Sequence, residues 1–140
     1  MLWEVNVQLP SITAVYLAIL ALLYAALGLQ VVHLRRKNLA GFGDGGNAEL
    51  RSAIRAHAHF AEYVPVIALM VAMLEMSGLP AIEVHLLMGT LLVARLLHPF
   101  GMYARPLSLP FYVFRVGGMV VTISVMIICA VAILSRSIRG

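Results

Sequence analysis

Residues Arg55–Pro65 read RAHAHFAEYVP and run without a break into Val66–Leu74, VIALMVAML. The second stretch has the composition of a bilayer-crossing helix, and the first loads its opening turns with an arginine, two histidines and a glutamate. Of the 140 residues, 62% are hydrophobic and only 11% charged, against about 25% charged in an ordinary soluble domain. The composition therefore excludes a soluble globular protein. At roughly 20 apolar residues per crossing, the length suits a compact all-α integral membrane bundle of four helices in a single domain over 1–140.

The spans are expected at about 11–32, 51–77, 81–102 and 111–134. The first follows Pro10, and MSGLP closes the second, with Gly78 and Pro80 as stop signals. The short connection that results makes the second and third helices antiparallel neighbours. A Gly-rich polar stretch, 38–50, links the first two spans, and YARPLSLP links the last two. The N-terminus lacks a basic region ahead of its first apolar run, so no cleavable signal peptide is expected. Trp3 and the tyrosines suit the membrane interface. Cys129, the single cysteine, excludes an intrachain disulfide.

Charge orients the bundle. Arg35, Arg36, Lys37, Arg51 and Arg55 lie in or beside the first connection, Arg95, Arg105 and Arg115 around the third, and no basic residue lies in the second. The positive-inside rule puts the first and third connections in the cytoplasm, although Arg136 and Arg139 at the other end dissent. A net charge of +4 matches anionic headgroups and calls for no nucleic acid.

On a helix Arg51, Arg55, His59 and Glu62 share one face. Glu62 lies roughly 16 Å along the axis from Arg51, too deep for an interfacial anchor. A carboxylate there costs on the order of 2.5–3.5 kcal/mol against lipid, so it is expected to face the bundle interior or a polar cavity and pair with a cation, Arg95 or His98. Pro65 cannot donate to Ala61 and is expected to break the helix locally. With Arg95 and His98 on one face of the third helix and Arg115 one turn into the fourth, the basic ends of three helices form an anion-seeking pocket. Guanidinium forks bind carboxylates and Glu62 accepts from an ammonium, so a small ligand carrying both would fit. Five histidines, at 33, 57, 59, 85 and 98, are too scattered for a multi-histidine metal box, and no metal is expected.

RAHAHFAEYVP heading the second of four spans, ARLLHPFG in the third and LRRKN after the first together resemble the membrane-associated proteins in eicosanoid and glutathione metabolism, the MAPEG family. The resemblance covers nearly the whole chain and implies a homotrimer in a bacterial inner membrane, with glutathione held between subunits near the cytoplasmic side. It implies that Arg55 holds a glutathione carboxylate, that Glu62 meets the γ-glutamyl amine and that Tyr63 binds beside it. Arg95 and His98 match the ARxxH pattern of the prostaglandin E synthase branch, and Arg36 reaches the ligand from the first helix. Arg115, with Arg105 as the second candidate, stabilises the thiolate. His59 stands where the glutathione-dependent members usually carry asparagine, and Met102 where some carry tyrosine.

The function so implied is a glutathione-dependent transferase or peroxidase acting on hydrophobic electrophiles or lipid hydroperoxides. Its alternative is a non-catalytic scaffold holding a lipid or small anion in the same intersubunit pocket. A transporter fits less well, because the polar residues gather at one end and line no continuous path.

Overall fold

A computed structural model describes residues 9–139. Trp3 and the side chain of Arg139 lie outside the described residues. Helix α1 spans Ser11–Lys37, α2 Ala48–Met76, α3 Ala81–Met102 and α4 Gly118–Arg139, the last entered through a π-helical segment, Phe111–Gly117. No strand occurs among the described residues, and all four helical stretches are long and apolar enough to cross a membrane. The protein is an all-α integral membrane bundle. α2 and α3 form the central pair, with α1 packed against both on one side and α4 against both on the other.

Each helix end has a local cause. α1 runs five residues past the expected Val32, because Arg35, Arg36 and Lys37 in its last turn face the negative end of the helix dipole. The Asn38 side chain then donates to the Leu34 carbonyl at 2.8 Å, and the chain turns through Leu39 at φ 51°. Asn47 opens α2 by accepting from the Leu50 amide at 2.9 Å, with Glu49 in the first turn. Gly78, at φ 83°, turns the chain toward Pro80 and α3. Pro65 sits inside an uninterrupted α2, so the expected break does not occur.

The start of α1 has no side-chain cap of its own. Glu75 of α2 supplies one: its carboxylate accepts from the Ile12 and Thr13 amides, both at 2.9 Å, and from the Thr13 hydroxyl at 2.6 Å. A carboxylate buried to 5% exposure is thereby saturated by donors at a positive helix end. Arg136, which dissented from the charge pattern, donates to the Ser77 carbonyl at 2.8 Å and fastens α4 to the α2–α3 turn.

Leu20, Leu27, Phe60, Ile67, Leu74, Met88, Leu91, Val125 and Cys129 fill the core. Leu22, Leu29, Leu69, Leu86 and Val131 point outward and remain exposed, as side chains facing lipid do.

Candidate functional site

The register of α2 decides where its charges go. Ala53, Ala56, Phe60, Val64 and Ile67 face the core, which leaves Arg51, Arg55 and Glu62 on the opposite, exposed face. The inward-facing Glu62 expected from its depth is not found. Neither Arg95 nor His98 pairs with it, and among the described residues the single ion pair joins Arg51 to Asp44. Arg55 borders a shallow cavity of about 330 Å³ with Gly43, Asp44, Arg51 and Ile54. The hydrogen bond from Arg51 holds the Asp44 carboxyl below its usual range.

Arg95 is 1% exposed and reaches across the bundle. One terminal nitrogen donates to the Gly118 carbonyl at 3.2 Å and to the Thr122 hydroxyl, and the other leans on the His59 carbonyl at 3.5 Å. Its Nε has no partner among the described residues. The guanidinium therefore joins α2, α3 and α4 from inside.

His59 Nδ1 lies 3.2 Å from His98 Nε2, the two rings hydrogen-bonded between α2 and α3. His98 is 2% exposed, and its other nitrogen, Nδ1, is unpartnered. His59 is half-buried, so the pair has one inner and one accessible member. Met102 is also buried and belongs to the hydrophobic core.

Arg115 lies in the π-helical entry to α4, half-buried, its guanidinium 5.2 Å from the centre of the Phe111 ring. Gly101 makes that position possible: a Cβ there would stand 2.3 Å from the Arg115 amide nitrogen. π-helical turns recur at functional sites, where the extra residue redirects a side chain. Arg105 is exposed in the loop between α3 and α4, and Arg36 is exposed at the end of α1. Tyr63 is half-buried against the core cluster. Nearby, Gln30 donates to the Tyr103 hydroxyl at 2.8 Å, and partial burial, then the Glu49 charge, raises that phenol above its usual value.

The structure thus divides the expected residues. Arg95, His98 and His59 form an internal polar knot, while Arg55, Glu62, Arg36 and Arg105 are presented outward, with Arg115 half-buried at the basic end. Thr122 and Gly118 belong to the knot and had no signal beyond a threonine in an apolar run. Among the described residues no group of three or more histidine, cysteine or acidic side chains is placed to hold a metal.

The MAPEG family matches residues 13–135. The chain is 37% identical over 94 residues to the inner membrane protein YecN of Escherichia coli K12, covering 67% of this chain and 72% of that one. The YecN of Escherichia coli O6:H1 strain CFT073 shows the same identity and coverage. No solved structure matches significantly.

Proposed function

The chain belongs to the MAPEG family, and from that premise we propose that it is a glutathione-dependent transferase or peroxidase acting on hydrophobic electrophiles or lipid hydroperoxides that arrive through the bilayer. The observation that carries this reading is the outward pair Arg55 and Glu62, exposed on a membrane-spanning helix without an ion-pair partner among the described residues. A carboxylate facing lipid at that depth costs several kcal/mol, so the face calls for a second protein surface and a polar ligand between. A homotrimer with glutathione in the intersubunit cleft supplies both. Glutathione offers two carboxylates and one ammonium, which suit Arg55 and Glu62 respectively.

Arg55 would anchor a carboxylate, with Arg36 a further contact from α1, and Glu62 would accept from the ammonium with Tyr63 beside it. Arg115 would hold the sulfur as thiolate: a guanidinium lowers a thiol from its free pKa of about 8.5 and favours the reactive form. The thiol proton leaves to water, and the sulfur lone pair forms the new bond while the electrophile's leaving group departs with its own pair. No protein nucleophile is required. The basic end would face the cytoplasm of a bacterial inner membrane.

Turnover of an aryl halide by the purified protein tests the reading. Glutathione consumption that saturates with both substrates is expected, and its absence with a cumene hydroperoxide control also negative would sink the enzyme. A non-catalytic scaffold is the second reading, favoured by the burial of Arg95 and His98, which withdraws two expected ligand contacts from the surface.

A further inference from the structure

The basic end of α1 carries a feature that the glutathione reading uses only at Arg36. The carbonyls of its last turn are already satisfied, Leu34 by the Asn38 amide and side chain, Arg35 by the Ala40 amide, and Arg36 by the Leu39 amide. The Arg35 guanidinium is spent on the Ala40 and Gly41 carbonyls, at 3.3 Å each. Arg36 and Lys37 have no acceptor and no carboxylate partner among the described residues. A cavity of about 490 Å³ opens beside Arg36, lined by Val32, Arg35, Arg36, Leu39, Ala40 and Gly41.

The turn that closes this cavity projects apolar side chains into open space. Leu39 is 93% exposed and Phe42 96%. Leu39 also has φ 51°, a left-handed conformation that is strained for a branched residue and that glycine would adopt freely. The described non-glycine residues with positive φ number two, and the other, Leu107, is likewise an exposed leucine, in the connection at the same end of the bundle. A strained backbone that holds a leucine outward, next to two unpaired cations, matches the boundary between acyl chains and phosphates.

We infer that the end of α1 and the turn after it bind the headgroup of an anionic glycerophospholipid. Arg36 and Lys37 meet the phosphodiester, and Leu39 and Phe42 enter the acyl region beneath it. The charge is complementary, since cations near an anionic leaflet gain about 1 kcal/mol each, and the apolar pair supplies depth. The site shares Arg36 with the glutathione reading but not Lys37, Leu39 or Phe42, and its test is run without glutathione, so either reading can fail alone.

Native mass spectrometry of the full chain, loaded with equal phosphatidylglycerol and phosphatidylcholine of identical acyl chains, tests it. Wild type is expected to retain phosphatidylglycerol preferentially, and R36Q/K37Q to lose that preference by about ten-fold or more, the worth of two cations. Arg136→Gln, at the opposite end, should leave the preference intact, and Leu39→Gly should lower retention of both lipids alike. Equal retention by wild type, a preference that survives in R36Q/K37Q, or retention unmoved by Leu39→Gly overturns the assignment. Full displacement by millimolar glycerol phosphate would make it a free-phosphate site and equally overturn the lipid.

Discussion

The Arg95 guanidinium of α3 and the Thr122 hydroxyl of α4 are hydrogen-bonded to each other in the bundle interior, and Thr122 in turn donates to the Gly118 carbonyl at 2.7 Å. Because the cation has no buried carboxylate among the described residues, neutral oxygens carry its solvation. Thr122→Val keeps the shape and removes one of them. Leaving part of a buried charged group unsatisfied costs on the order of 1–3 kcal/mol. Thermal unfolding in detergent should show a lower midpoint for Thr122→Val and a near-normal one for Thr122→Ser.

Glu75 stabilises α1 from a different helix. Glu75→Ala strands the amides of Ile12 and Thr13, and the loss of a cap costs about 1–2 kcal/mol. Amide exchange at those two positions should accelerate strongly while the centre of α1 stays protected. Unchanged exchange would show that the cap contributes nothing.

Gly101 and Arg115 meet backbone to backbone. Gly101→Ala puts a methyl 2.3 Å from the Arg115 nitrogen, where the backbone must move, whereas at Gly117 the nearest atom to an added Cβ is 3.5 Å away. Overpacking of this kind costs typically 1–3 kcal/mol. Gly101→Ala should lower both the folded yield and any thiolate absorbance, and Gly117→Ala should leave the yield close to wild type.

The Arg51 hydrogen bond to Asp44 ties the first connection to α2. The folded carboxyl titrates below its ordinary value of 3.8, so whatever the pair contributes is present above that pH and fades as the pH falls below it. NMR titration of Arg51→Gln should move the Asp44 midpoint up toward 3.8, with little change in global stability because the pair lies at the surface, with Arg51 exposed and Asp44 half-buried.

Much of this fold was legible before the structure. Four uncharged or weakly charged runs of membrane length, punctuated by Gly78, Pro80, Pro106 and Pro110, define the four helices. The polar ladder on α2 is legible too. Of the two shelters expected for Glu62 the bundle interior is excluded, because the apolar set Ala53, Ala56, Phe60, Val64 and Ile67 already claims that side of the helix. The trans cap by Glu75 and the Arg136 clasp depend on where helix ends meet, which local pattern does not encode. The π-helical turn at Arg115 packs closely on Gly101, a contact between residues in different helical segments that local pattern does not encode. His59 reads as a substitution in the sequence and as half of a histidine pair in the fold.

The most direct test of the central claim is calorimetric titration of glutathione into the detergent-purified protein, wild type beside Arg55→Ala and Glu62→Ala. Saturable binding by wild type, lost or weakened at least ten-fold in both variants, is the predicted result. Binding that survives in both variants, or no binding by wild type, would contradict the assignment of the outward α2 face as the glutathione site.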